Sequence, residues 1–335
     1  MRSIFLCENR ADVDRVFATD VRERLCALVG LEKDVVYSTA DLIANPDKFG
    51  DVEIIFSTWG MPTLDEDQIA KIFPSLRAVF YAAGTVQAFA RPFLARGVKV
   101  FSAWAANALP VAEYTLAQIL LANKGFFTSC ATLSTSGDYR AAQEIKSEYR
   151  GNFGANIGII GAGMIGALVV SMLREHNLNV KVFDPFLPDD RARDMGVTKC
   201  SLDELFSTCS VVSNHLANNE QTKGMLRYKH FASMPPYATF INTGRGAQVV
   251  EDDLVRALAE RPDLTALLDV TYPEPPRSDH PFFELKNCFL TPHIAGSIGD
   301  EVHRMAEYMA DECQKFISGD RTKYEVTEKM LATMA

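Results

Sequence analysis

Three polar side chains stand just beyond apolar runs in the second half of the chain. Arg245 follows ATFINTG, Glu274 follows LLDVTYP, and His293 follows FLTP. A guanidinium can hold a carboxylate and a neighbouring carbonyl oxygen through charge-assisted, bidentate hydrogen bonds. An imidazole titrates near neutral pH and can give or take a proton, and a carboxylate beside it favours the protonated ring. Taken singly, each has a structural explanation: a surface arginine, a loop acid between two prolines, a structural histidine. What sets them apart is the position that the surrounding elements give them.

A fourth feature supplies that context. GAGMIG, residues 161 to 166, directly follows the apolar run NIGII and opens the helical pattern IGALVVSMLREH. Gly161 permits a tight turn, Gly163 lets backbone approach a pyrophosphate, and Gly166 permits close packing of helix on strand, with the helix N-terminus facing the anion. The next apolar run, VKVFD, ends in Asp184, where a ribose 2′-hydroxyl would need an acceptor. A carboxylate there repels a 2′-phosphate, which favours NAD over NADP. Arg191 and Arg193, in the following segment, are the residues that would reverse that preference. The alternatives are a glycine-rich turn without a ligand and an Asp184 that only caps the turn before Pro185.

The elements that must position these residues fall into two series. SIFLCE, DVVYS, VEIIFSTW, LRAVFYAAG and VKVFSAW read as short strands, with amphipathic segments such as DVRERLCALV and DEDQIAKIF between them. A long apolar helix follows over 111–127, and then a polar stretch. The second series of strands is NIGIIGAG, NVKVFD, SVVSNHLA, ATFINTG, LTALLDV and NCFLTPHIAG, with no hairpin signals between them. This pattern predicts an α/β protein of two Rossmann-like domains. One is a doubly wound parallel sheet that binds a dinucleotide. In such sheets ligands bind beyond the carboxyl ends of the strands, which is where Arg245, Glu274 and His293 all fall. DEVHRMAEYMADECQKFI is amphipathic and suited to return to the first series. The boundaries drawn are 1–104 plus 298–335 for one domain and 105–297 for the other.

Composition restricts the function classes. A chain of 335 residues suits two domains, and 47% hydrophobic with 23% charged residues is ordinary for a globular protein. The formal net charge of -9 argues against nucleic acid or an anionic membrane as partner. The apolar stretch in MRSIFLCENRADVDR is too short for a signal peptide, and no run approaches a membrane span. A cytoplasmic location is expected. Seven cysteines without ligand spacing predict reduced thiols, with neither a metal site nor a disulfide.

These motifs together resemble the D-isomer-specific 2-hydroxyacid dehydrogenase family over most of the chain. AANALPVAEYTLAQIL is similar to its hinge and the first helix of its nucleotide domain. GAGMIG with Asp184 resembles its NAD fingerprint. SNHLANNEQTKGMLRYKHFASMPPYATFINTGRGAQVVEDDLVRAL resembles its long signature around the catalytic arginine, and LLDVTYPEPP and TPHIAG its glutamate and histidine motifs. The resemblance implies a flavodoxin-like substrate domain and Arg245, Glu274 and His293 as the catalytic trio. Met164, Ile165, Asp184, Leu216, Thr243, Gly244, Arg245, Asp269 and His293 match cofactor-lining positions, with Asp269 the partner of the nicotinamide carboxamide. Ala83 and Gly84, in YAAGTVQ, match the loop that holds the substrate carboxylate alongside Arg245 and His293. A homodimer through the second domain is also implied, with residues 132–150 as its arm.

Departures from the family pattern occur at three places. His215-Leu216-Ala217 replaces the usual histidine-x-proline, YAAGTVQ lacks an aspartate after its glycine, and FSTWGMP carries Trp59 and no arginine. Trp59 suits core packing as well as a pocket wall. The implied reaction is hydride exchange between NAD(H) and a small 2-keto or D-2-hydroxy acid, as in glyoxylate or hydroxypyruvate reduction. Arg245 would polarise the carbonyl, His293 exchange its proton and Glu274 orient the ring. The other function class left open is an NAD(H)-sensing, corepressor-like protein that binds a partner on the same fold.

Overall fold

The computed structural model describes residues 1–331; the last four residues of the 298–335 segment lie outside it. The chain divides into two compact units, Met1–Asn107 with Ser297–Ala335, and Ala108–Gly296. Among the described residues no helix is long and apolar enough to cross a membrane, and no group of three or more His, Cys, Asp or Glu could hold a metal ion. All seven cysteines are free thiols.

The first unit is built on strands β1 (Arg2–Leu6), β2 (Leu31–Tyr37), β3 (Val52–Ser57), β4 (Ala78–Tyr81) and β5 (Lys99–Ser102). They pair in parallel in the order β5-β4-β3-β1-β2. The apolar runs of β1, β3 and β4 are buried on both faces, as parallel strands require, whereas the edge strand β2 is exposed in its middle. Phe5, Phe56, Phe80 and Phe101 are buried along the sheet, with Phe56 on Phe80 and Phe80 on Phe101 as stacked pairs. The helix His303–Ser318 returns to this unit and buries Met305, Met309, Ala310 and Cys313 in the same core.

The second unit contains β6 (Asn156–Ile160), β7 (Asn179–Phe183), β8 (Thr198–Lys199), β9 (Val211–Asn214), β10 (Thr239–Asn242), β11 (Thr265–Leu268) and β12 (Cys288–Leu290). All pairs are parallel, in the order β12-β11-β10-β9-β6-β7-β8. Separate hydrophobic clusters form around Phe206, Phe231 and Phe240 and around Ile119, Ile159 and Leu173, the two-sided core of a doubly wound sheet. The switch point lies between β6 and β9. Register places Phe183, Ile160, Asn214, Asn242, Leu268 and Leu290 in one row across the sheet. The residues that follow them, Asp184, Gly161, His215, Thr243, Asp269 and Thr291, therefore begin the loops of a single edge.

The structure differs from the expected elements in several places. The helix expected over 111–127 runs instead over Trp104–Ala122, and a new helix, Phe126–Ser136, starts after Gly125. Gly125 takes a left-handed φ of 66°, and a Cβ there would come within 2.4 Å of the Tyr149 ring, so the chain turns where only glycine fits. The polar stretch that follows forms a further helix, Tyr139–Lys146, capped by Asp138. Among the described residues two strands were also not anticipated. These are β8 and β13 (Glu325–Val326), the latter antiparallel on β5; strands of two residues are too short to carry a periodic signal.

Candidate active site

The glycine loop has the geometry of a phosphate cradle. Gly161 follows β6 with a φ of 87°, and a Cβ on it would meet the His215 carbonyl oxygen at 2.8 Å. A Cβ on Gly166 would lie 2.0 Å from the Gly161 carbonyl oxygen, so the helix Met164–Leu173 can sit this close only with glycine there. Gly163, at the N-cap of that helix, faces open space. The first-turn N–H groups have no side-chain cap and are available to an anion. Met164 is half exposed at this rim and Ile165 half-buried. These features fit a dinucleotide pyrophosphate.

Asp184 stands beside the cradle, as its place after β7 requires. One carboxylate oxygen accepts the Ala162 N–H at 2.8 Å and the other the Phe186 N–H at 2.8 Å. It thus shapes the glycine loop, and its remaining lone pairs can serve a diol. Arg191 and Arg193 are exposed on the helix Asp189–Met195.

Arg245 lies on the loop after β10. Its Nη1 donates to the Gly244 carbonyl oxygen at 2.7 Å, and among the described residues no carboxylate lies within ion-pair distance of it. Burial lowers its pKa from the ordinary arginine value, and the charge of Glu274 acts in the opposite sense. A half-buried cation without a carboxylate partner among the described residues is poised for an anion. Gly246 is needed beside it, because a Cβ there would come within 2.1 Å of the Thr271 backbone.

Glu274 and His293 are brought together: the ring Nδ1 and the carboxylate Oε1 are 2.5 Å apart, with both side chains partly exposed. His293 has a left-handed φ of 55°, unusual for a residue with a side chain. Asp269, 2% exposed, holds the histidine's loop. It accepts from the Thr291 hydroxyl at 2.6 Å, the Ile294 N–H at 2.8 Å and the Ala295 N–H at 2.9 Å. The Tyr114 hydroxyl lies 3.1 Å from that of Thr291 and extends the chain of bonds. Thr243 is buried, its hydroxyl 3.3 Å from that of Thr115.

Sequence reasoning did not single out three buried amides on this edge. Asn214 and Asn242 end β9 and β10 as register partners, and Gln248 lies in the short 3-10 turn Gly246–Gln248. The available signal was an asparagine ending each of two buried strands, VVSN and TFIN. His215 is buried, with Nε2 2.9 Å from the Ser213 hydroxyl, and burial pushes its pKa down to about 3. Leu216, next to it, is half-buried.

In the first unit, Ala83 is buried and Gly84 half-exposed. The Ser102 hydroxyl donates to their carbonyl oxygens at 3.0 and 2.5 Å. The N–H groups of Gly84 and Thr85 meet no acceptor among the described residues. Trp59 follows β3, and the Arg15 guanidinium lies 5.0 Å from its ring centroid. The FSTWG loop thus does have an arginine beside it, supplied by the helix Arg10–Val16, and Arg15 is itself paired with Asp12 at 3.1 Å.

The second unit thus sets a glycine cradle on a doubly wound sheet, with Arg245 and a glutamate–histidine pair on the same edge. Residues 116–295 match the family described as D-isomer specific 2-hydroxyacid dehydrogenase, NAD binding domain, and the chain belongs to that family. The D-3-phosphoglycerate dehydrogenase of Mycobacterium leprae is 30% identical over 228 residues, 68% of this chain. That match covers 42% of the relative, so the chain spans less than half its length. Two solved structures share the fold, each with a TM-score of 0.81. They are a phosphoglycerate oxidoreductase from Rhizobium etli, 22% identical and covering 98% of this chain and 99% of that one, and the apo D-mandelate dehydrogenase of Rhodotorula graminis, 20% identical and covering 98% of each.

Proposed function

We propose that the protein interconverts a small 2-keto acid and the corresponding D-2-hydroxy acid, with NAD(H) as cofactor. The observation that carries this reading is Arg245, half-buried and without a carboxylate partner among the described residues, on the same sheet edge as the 2.5 Å Glu274–His293 pair. Bound NADH supplies the hydride. The cradle at Gly161, Gly163 and Gly166, with Asp184, Leu216 and Thr243, would hold the cofactor. Arg245 would bind the substrate carboxylate and draw charge towards the carbonyl oxygen. His293 would give its proton to that oxygen in reduction and take it back in oxidation, with Glu274 fixing the ring through Nδ1. In this reading the first unit is the substrate domain and the second is the dinucleotide-binding domain.

The substrates favoured are monocarboxylic, such as glyoxylate, hydroxypyruvate or pyruvate derivatives. Arg15 stacks on Trp59 of the FSTWG loop but is already paired with Asp12, so it is not free for a second anionic group. A homodimer fits the helix Phe126–Ser136, which buries none of its residues and leaves Phe126 and Leu133 exposed. The test is oxidation of NADH, followed by absorbance, with glyoxylate, hydroxypyruvate, pyruvate and 3-phosphohydroxypyruvate. Turnover of the first three is expected. No turnover by any of the four would remove the reading, and a best rate with the phosphorylated acid would remove the substrate assignment.

A further inference from the structure

We infer that the side-chain amides of Asn214, Asn242 and Gln248 form a brace that fixes Arg245 to the Leu216–Ala217 loop, which makes Asn214 and Gln248 positioning residues for the arginine. Its catalytic consequence rests on the function proposed above, whereas the brace itself does not. Among the described residues the guanidinium of Arg245 bonds only to the carbonyl of the adjacent Gly244, so its placement comes through its backbone. Both polar groups of that backbone are held by the amides. The Arg245 N–H donates to Gln248 Oε1 at 3.2 Å, and the Arg245 carbonyl accepts from Asn242 Nδ2 at 3.2 Å. The second loop is held by the same groups. Gln248 Nε2 donates to the carbonyls of Leu216 at 2.8 Å and Ala217 at 3.0 Å, and Asn214 Oδ1 accepts the Leu216 N–H at 3.3 Å.

Asn214 is the link between the amides. Its Nδ2 donates to Asn242 Oδ1 at 3.0 Å and to Gln248 Oε1 at 2.6 Å. All three residues are at most 1% exposed. Buried amides cost stability unless fully bonded, and when fully bonded they specify one geometry. Here each amide nitrogen and oxygen has a partner. Gly244 belongs to the same device, since a Cβ on it would stand 2.9 Å from Gln248 Oε1. The loop that carries the expected cofactor contact Leu216 and the loop that carries the anion-binding arginine therefore move as one body.

The test compares wild type with Gln248→Met, which keeps the side-chain length and removes the amide. Asn287→Leu is the control. It deletes a buried amide that donates to the Leu258, Arg261 and Leu264 carbonyls at the other ends of the strands. Hydrogen exchange by mass spectrometry reads the brace without turnover. Gln248→Met should speed exchange in segments 215–218 and 243–248 together and weaken NADH binding measured by fluorescence. It should also lower kcat/KM for the best 2-keto acid by about 100-fold, the scale of an ångström-sized misplacement, through both KM and kcat. Asn287→Leu should lower Tm yet leave KM and kcat unchanged. Should Gln248→Met not fold, Gln248→Glu keeps the acceptor for Arg245 and loses the donors to Leu216 and Ala217, so exchange should rise in 215–218 and spare 243–248. Wild-type exchange in both segments of Gln248→Met, or a rise in 243–248 alone, would overturn the inference. If wild type reduces no 2-keto acid, the proposed function falls and exchange alone decides the brace.

Discussion

Replacing Asp269 by Asn separates two roles for that carboxylate. As a cofactor contact it would act only when NAD(H) is bound, whereas the bonds to Thr291, Ile294 and Ala295 act in the empty protein too. An asparagine with its oxygen at the Oδ1 position keeps the first two bonds and turns an NH2 group on the Ala295 N–H. One charge-assisted hydrogen bond is lost and a buried donor is left without a partner, a cost of about 3 kcal/mol. Relief of the buried charge's desolvation offsets roughly 1 kcal/mol of this, leaving a net loss of about 2 kcal/mol. For a unit the size of Ala108–Gly296, that lowers Tm by about 4–8 °C. His293 is anchored by the same loop at an unfavourable φ of 55°, so its displacement should cost about 100-fold in kcat/KM. Calorimetry without cofactor, NADH binding by fluorescence and steady-state reduction provide the measurements. A ligand-free Asp269→Asn protein with wild-type Tm would refute the bracing role.

Three further outcomes are expected. In Glu274→Gln the ring of His293 loses the carboxylate 2.5 Å from Nδ1 that holds its orientation. The reduction kcat should then fall by about 10-fold or more while NADH binding is retained, and an unchanged kcat would show that Glu274 does not orient the histidine. His215 is held neutral by burial, its pKa pushed from 6.5 down to about 3. Its contribution is therefore complete above the unfolded value and lost as pH falls from 6.5 towards 3, amounting to about 2 kcal/mol by pH 5. Between pH 7 and 5, His215→Gln should lose less stability than wild type, and parallel curves would refute this. Wild type should prefer NADH to NADPH, and Asp184→Ala should shrink the preference. A wild-type preference for NADPH would instead point to Arg191 or Arg193.

Much of this protein was legible along the chain because its signals are local. The run NIGII followed by GAGMIG sets strand, turn and helix within a dozen residues, and the need for glycine at 161 and 166 is a matter of backbone approach over the same short distance. Apolar strands with no hairpin turns between them imply parallel pairing, and parallel pairing alone puts Asp184, His215, Thr243, Asp269 and Thr291 on one edge. The arrangement of side chains on that edge is not a local property. Asp269 turned inward to bind the loop of His293, 24 residues later in sequence; Arg15 reached the ring of Trp59; and Asn214, Asn242 and Gln248 found one another across two strands and a turn. Register and burial decided those contacts, because a buried polar group takes whichever partner the packed strands bring within hydrogen-bond distance.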